Sequence, residues 1–437
     1  MPQKLKISQK LAKRKYAPAN KFIYSIYRTV MVDILGKKYK PQYHIIDKLE
    51  DGPCIVIFNH LSRIDHIYLV GACRPRVTNM MAGNYCFYRD KFSFIFGLSK
   101  TIPKKSYAAD LVSIHAVGEV LKKGGCVTFA PEGIASVFGE NKPIVPGTSK
   151  MFKHFKVPVY LCYLEGQYLE KTTVCLDDRI GESHATLTKL FSTEDTQNLT
   201  VEEMDDIINE KFRRNEYAWN REKKIKWKTN GRICQDLDEI CYKCYKCGKE
   251  FTMKGEGDKI VCTNCGNGAT MDDYYVFHPF DDAVIPIDPC IWAENERKDI
   301  IKEIRENPDY FFEDECMIGN FDEYKLVKGE DTSFIVGEGK IRIDHKGFHY
   351  KGTRKGEPCE FTVEYKNLYT LINPIDTKSF AMYIKGEYFD FFPKHKTTAK
   401  FLMLVEEMHR LHINYYKNFK WNDYMYEGLE LGIDLKK

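Results

Sequence analysis

The chain has 437 residues, of which 43% are hydrophobic and 29% charged, with a formal net charge of +4. This balance leaves room for about three domains and excludes wholesale disorder. The charge is uneven: residues 1–40 hold eleven basic groups against one acid, Asp33, a net of +10, so the other 397 residues carry −6. A basic arm on a mildly acidic body points to an anionic partner for the arm, either a membrane surface or a nucleic acid. No run of 18 apolar residues occurs, so no spanning helix is expected. The first ten residues are polar and basic, unlike an export signal, so a cytoplasmic chain with reduced thiols is expected.

In KFIYSIYRTVMVDIL (21–35), Phe22, Ile23, Ile26, Tyr27, Val30 and Ile34 recur at helical spacing. With the preceding lysines, the segment reads as an amphipathic helix lying in anionic lipid headgroups, each basic group adding about 1 kcal/mol. The plain alternative is a helix packed on its neighbour. From Gly52, short apolar runs alternate with helical segments. CIVIF (54–58), CVTFA (126–130) and VPVYLCYL (157–164) read as buried strands of an α/β sheet. Between the first two, a helix over 111–122 is capped by Asp110, carries Leu111, Ile114, Val117 and Leu121 on one face, and ends at Gly124-Gly125. Thr200 and Glu203 form a capping box for a last helix to about Arg213. A basic helical arm over 1–45 and an α/β domain over 46–232 result.

The first strand runs into NHLSRID (59–65), polar groups at a sheet edge where ligand sites gather. His60 is a candidate general base, and Asp65, five residues on, can fix its tautomer and leave Nε2 free to deprotonate an alcohol. A buried structural His–Asp bond is the bland alternative. The second strand leads into PEGIAS (131–136), where Gly133 permits a tight turn and close backbone approach to a ligand. Between the two lies FGLSKTIPKK (96–105) with its paired cations, and VPGTSKMFKHFKVPVYL (145–161) follows.

The order H-x-x-x-x-D, basic block, P-E-G, V-P-V resembles the glycerophospholipid acyltransferases of the 1-acylglycerol-3-phosphate type over residues 50–220. The resemblance implies a mixed sheet with flanking helices and transfer of a fatty acyl group from acyl-CoA or acyl-carrier protein to a lysophospholipid hydroxyl. It implies catalysis by His60 and Asp65, and oxyanion stabilisation by backbone N–H groups worth about 3 kcal/mol per donor. Glu132 and Gly133 would shape the acceptor pocket. The family usually continues E-G-T-R, with the Arg on substrate phosphate, whereas this chain has Ile134 and Ala135. Arg63, Lys104 or Lys105 would then meet the phosphate.

Residues 233–275 are cysteine-rich. Cys244-x-x-Cys247 and Cys262-x-x-Cys265, each with a trailing glycine (Gly248, Gly266), suit tetrahedral thiolate coordination of a structural Zn²⁺ and resemble a zinc ribbon. Cys241 reads as a bystander. Lys alternates with Glu through the ribbon, so no nucleic acid partner is expected.

Residues 276–325 read as a linker with a helix over 291–306. Six β-rich runs follow Asp331, and then a helix with Phe401, Leu404, Val405, Met408, Leu411 and Tyr415 on one stripe. The order over 326–437, a β-rich domain closed by a helix, resembles a PH or GRAM-like module, which either binds lipid or packs on the catalytic domain. Two further readings stand beside the acyltransferase expected to lie peripherally on the inner face of the cell membrane: a catalytically inactive lipid-binding scaffold and a zinc-ribbon nucleic-acid binder. Nothing points to a phosphate-binding Gly-Lys-Ser/Thr loop or a dinucleotide fingerprint.

Overall fold

The computed structural model describes residues 5–414 apart from 109, 330 and 375. Lys4 of the basic arm and Tyr415 of the closing stripe therefore lie outside the described residues. The arm helix α1 (Lys21–Arg28) is capped by the Asn20 side chain and continues as a π-helix over Thr29–Leu35. Tyr24 and Val32 face inward, with the Tyr24 hydroxyl 2.6 Å from that of Thr78. The apolar stripe points the other way, leaving Phe22 75%, Ile26 52% and Ile34 63% exposed. No helix among the described residues is long and apolar enough to cross a membrane.

Seven strands form the first sheet: β1 (Gln42–Ile45), β2 (Cys54–Phe58), β3 (Thr78–Gly83), β4 (Ile102–Lys104), β5 (Cys126–Phe129), β6 (Val159–Glu165) and β7 (His184–Phe191), ordered β1-β7-β6-β2-β5-β3-β4. The sheet is mixed, because β7 runs antiparallel to β6 while β2 lies parallel to both β5 and β6. Strand alternation splits the core of β2. Ile55 and Ile57 pack with Val117 and Leu121 on one face, and Val56 and Phe58 pack with Ile67 and Leu69 on the other. Those partners sit on helices α2 (Asp65–Ala72) and α4 (Leu111–Lys122); α3 (Asp90–Leu98) lies between them in the chain.

Two details of this region differ from the sequence-based expectation. Leu111 is 84% exposed and Ile114 lines the cavity described below, so of this stripe only the later Val117 and Leu121 are buried. After α5 (Val201–Phe212), with the capping box formed by Thr200 and Glu203, another helix spans Glu216–Lys223.

The cysteine-rich segment folds as a four-stranded antiparallel sheet: β8 (Met253–Glu256), β9 (Lys259–Cys262), β10 (Gly268–Met271) and β11 (Phe277–Pro279). Helix α6 (Pro289–Glu306) leads to a six-stranded antiparallel sheet of β12 (Phe311–Asn320), β13 (Phe334–Asp344), β14 (Gly347–Arg354), β15 (Glu357–Val363), β16 (Phe380–Ile384) and β17 (Glu387–Pro393), ordered β15-β14-β13-β12-β17-β16. β12 falls inside the stretch expected to be a linker. Its outward Glu313 and Glu315 hide a strand whose alternate residues Asp314, Cys316 and Ile318 are buried.

Helix α7 (Thr398–His412) is buried on every side instead of along one stripe. The cause is its place among all three units. Phe401 packs on Phe312 of the last sheet, Lys400 pairs with Glu250 of the ribbon at 2.5 Å, and Arg297 of α6 reaches Glu406 and Glu407 at 2.8 and 2.7 Å. Lys142, from the first unit, reaches Glu406 at 2.5 Å. Buried charges of this kind persist only when paired.

Candidate active site

Because β2 and β5 are neighbouring parallel strands with Ile57 opposite Phe129, the segments 59–65 and 131–136 leave the sheet side by side at one edge. The Asn59 side chain anchors the first, donating to the Leu164 carbonyl at 2.9 Å and accepting from the Leu164 N–H at 2.7 Å. Asp65 opens α2, where a carboxylate also favours the helix dipole. Its Oδ2 lies 2.7 Å from His60 Nδ1 and accepts from the Leu61 and Ser62 N–H groups at 2.8 and 3.0 Å. Asp65 is 1% exposed, whereas the His60 ring is half-buried and lines a cavity of about 1030 Å³. With Nδ1–H donated to the carboxylate, Nε2 is left as a proton acceptor.

The P-E-G loop is fastened to this segment from below. Glu132 accepts from the His60 N–H at 2.6 Å and from Asn141 Nδ2 at 2.7 Å, and the Ser136 N–H donates to the His60 carbonyl at 2.8 Å. Burial pushes the Glu132 carboxyl up to about 8. Glu132 is thus a brace under the site and, unlike Gly133, does not line the cavity. Gly133 has φ +82°, and a Cβ there would meet the Tyr107 ring at 3.2 Å, so the position demands glycine. The next two N–H groups, of Ile134 and Ala135, have no acceptor among the described residues, and both residues line the cavity.

The expected cations separate. Arg63 lines the cavity, with Nη2 3.4 Å from the Pro374 carbonyl and no carboxylate in ion-pair contact among the described residues. Lys104 also lines it, its Nζ donating to the Lys105 and Ala108 carbonyls at 2.8 Å each; burial lowers its pKa. Lys105 does not line the cavity: its Nζ sits 5.9 Å from the centre of the Tyr383 ring. Of the residues expected to meet substrate, Lys105 and Glu132 are thus set back from the cavity: the Lys105 ammonium lies over the Tyr383 ring, and the Glu132 carboxyl is taken up by the His60 N–H and the Asn141 side chain.

The sequence reading missed much of the wall. Met80, Met81, Phe92, Ile95 and Phe96 make one side apolar, and Tyr27 and Met31 extend it from the arm. Tyr369, Asn373 and His409 come from the last unit. No local pattern announces residues that meet the site only across some 300 positions.

In the ribbon, the Sγ atoms of Cys244, Cys247, Cys262 and Cys265 all lie within 4.8 Å of one another, with Cys244–Cys265 at 3.6 Å and Cys247–Cys262 at 3.9 Å. Tetrahedral zinc at about 2.3 Å from each thiolate implies edges of about 3.8 Å, so the donor set fits that ion. Gly248 and Gly266 have φ of +74° and +75°, and Cys241 stays outside the cluster in the core.

Residues 40–165 match a protein-family model described as acyltransferase. No curated protein matches the chain. Among solved structures, it is similar to the 1-acyl-sn-glycerophosphate (LPA) acyltransferase PlsC from Thermotoga maritima, with 15% identity, covering 44% of this chain and 90% of that one, at a TM-score of 0.35.

Proposed function

From the acyltransferase-family domain at residues 40–165, we propose that this protein transfers a fatty acyl group from a thioester, acyl-CoA or acyl-carrier protein, to the hydroxyl of a lysophospholipid. The observation that carries the proposal is the His60–Asp65 pair at 2.7 Å on the wall of a large, partly apolar cavity. His60 Nε2 takes the proton of the acceptor hydroxyl while Asp65 holds Nδ1–H. The oxygen attacks the thioester carbonyl, the new C–O bond forms as the C–S bond breaks, and His60 returns its proton to the departing thiolate. No acyl-enzyme is required. The free N–H groups of Ile134 and Ala135 supply oxyanion donors within the same wall.

Arg63 and Lys104 are the cations offered to the acceptor phosphate, and 1-acylglycerol-3-phosphate is the simplest acceptor with that charge. The apolar side between Met80 and Phe96 suits the acyl chain. The four-cysteine cluster holds a structural Zn²⁺ in this proposal, with no open position for chemistry. The exposed Phe22, Ile26 and Ile34, beside basic residues of the arm, support peripheral attachment to an anionic membrane. In this proposal the catalytic segment is 46–232, and the segment expected as a linker over 276–325 gives its strand β12 to the last sheet.

The test is mass analysis of products formed from one labelled acyl-CoA and a mixture of lysophospholipids. A labelled diacyl product that disappears with His60→Ala supports the proposal. Lipid binding without any product in the intact protein favours the non-catalytic scaffold instead.

A further inference from the structure

Residues that line the cavity and still reach solvent mark where it opens: Ile95 on α3, Ile114 on α4 and Ile413 after α7 are all exposed. Tyr27 and Met31 bring the arm to the same cavity. Helix α3 is apolar on two opposite sides. Phe92 and Phe96 line the cavity, whereas Phe94 and Leu98 do not and are exposed, Phe94 to 73%. Positions two apart on a helix point about 200° away from each other, so α3 offers one apolar stripe inward and another outward. The first turn of α4 has the same character: Ile114 lines the cavity, while Leu111 and Val112 do not and stand in solvent.

The arm is fastened to both helices. Arg14 Nη2 donates to the Phe96 and Gly97 carbonyls at 2.6 and 3.1 Å, and the Tyr16 N–H donates to the Glu119 carboxylate of α4 at 3.0 Å. The exposed stripe of α1 thus belongs to the same rim as the outer residues of α3 and α4. Single apolar residues on a surface need no partner, but apolar side chains on three elements around one opening describe an interaction surface. Its charge identifies the partner. Lys21 and Arg28 lie on α1, Lys13 and Lys15 precede it, and Lys91 opens α3. Bulky apolar groups beside cations match an anionic bilayer, the former among acyl chains and the latter at the phosphates.

We propose that α3 and the first turn of α4 enter the membrane together with the arm, forming a collar whose opening gives the cavity directly onto the leaflet. A lysophospholipid then moves in sideways past Ile95 and Ile114, and its chain stays in apolar surroundings from the bilayer to the wall of Met80, Met81 and Phe96. The lipid as cargo rests on the acyl-transfer reading. The contact of α3 and α4 with the bilayer is a matter of binding and stands apart from it.

The experiment uses the full chain, arm intact, carrying Phe94→Ser, Leu98→Ser, Leu111→Ser and Val112→Ser together. All four side chains are exposed and outside the cavity wall, so the melting temperature should hold. Affinity for vesicles of phosphatidylcholine and phosphatidylglycerol, read by flotation, should fall at least tenfold. With one acyl-CoA, the ratio of transfer to vesicle-embedded lysophosphatidate over transfer to a dissolved short-chain lysophosphatidate should also fall at least tenfold. A single variant, Phe94→Trp, gives a second reading: its added emission should be quenched by lipids brominated on their acyl chains. Emission added by Ile287→Trp, an exposed position on a segment absent from the cavity wall, should not be. Vesicle affinity unmoved by the fourfold variant, or a Phe94→Trp emission quenched no more than that of Ile287→Trp, overturns the collar and leaves attachment to the arm alone. Loss of self-association with vesicle binding kept would make the face an interface between copies, and overturns it equally. A transfer ratio that stays constant overturns sideways entry. Vesicle binding that depends on the four residues, with no transfer to any lysolipid, sinks the acyl-transfer reading and leaves the bilayer contact standing.

Discussion

Replacing Asp65 by Asn keeps the shape of the side chain and changes its proton pattern. The carboxylate accepts from the His60 ring at 2.7 Å, from the Leu61 N–H at 2.8 Å and from the Ser62 N–H at 3.0 Å, with only 1% of the residue exposed. An amide has one accepting oxygen, so at least one of these donors meets an NH₂ group. Hydrogen bonds to a charged group contribute about 1.5–3 kcal/mol each, so the fold should lose about 2 kcal/mol and remain assembled. The larger effect is on the imidazole. If Nδ2–H points at His60 Nδ1, the ring proton moves to Nε2, the atom that must accept from the alcohol. The equivalent exchange in serine hydrolases lowers turnover about 10⁴-fold. The expected loss in kcat is therefore about 10³–10⁴-fold, or about 4–5.5 kcal/mol in the barrier, with KM for both substrates nearly unchanged. The assay is steady-state transfer of labelled acyl-CoA to lysophosphatidate, run on protein checked by urea unfolding. A folded Asp65→Asn variant that kept more than a tenth of wild-type kcat would refute the assignment of Asp65 as the group that sets the His60 tautomer.

Glu132 gives the molecule a pH-dependent element. Burial raises its carboxyl to about 8 against an ordinary value of 4.5, so between those values the folded chain retains a proton that the unfolded chain releases. Stability should fall as pH rises through that window, by about 5 kcal/mol at most, and Glu132→Gln should flatten the decline measured by urea unfolding at pH 5 and pH 8. Zinc should be found at one ion per chain in reduced protein, and chelation should abolish hydrogen-exchange protection in β8–β10; protection unchanged after the metal is removed would end the zinc proposal. Substituting Ser for Phe22, Ile26 and Ile34 together should weaken binding to vesicles containing anionic lipid at least tenfold without altering the melting temperature, because those side chains already face solvent.

The parts of the fold that could be read in the sequence were those with strong local signals. CIVIF and CVTFA are apolar runs of strand length, and both become inner strands of the first sheet, whose ends lead into the candidate site. The trailing glycines of the two cysteine pairs do adopt positive φ. Less visible were β1, β3, β4 and β7, which are short, or alternate with polar residues such as Thr186, Thr188 and Lys189, and draw their stability from neighbours already in the sheet. The amphipathic stripe of α7 was genuine, but its charged face is neutralised by Lys142 and Arg297, distant residues that no helical periodicity can reveal. The same holds at the site. The five-residue spacing brings His60 to Asp65, yet the role of Glu132 as a brace depends on the His60 N–H and Asn141 meeting it in the folded first unit, and the part of the wall made by Tyr369 and His409 depends on the last unit reaching the first.

The most direct measurement is the rate of acyl transfer from a labelled thioester to a lysophospholipid by wild type and His60→Ala, at saturating concentrations of both substrates. The imidazole as proton acceptor requires a fall in kcat of at least about 10³-fold in the variant. Wild-type turnover in a correctly folded His60→Ala protein would contradict it.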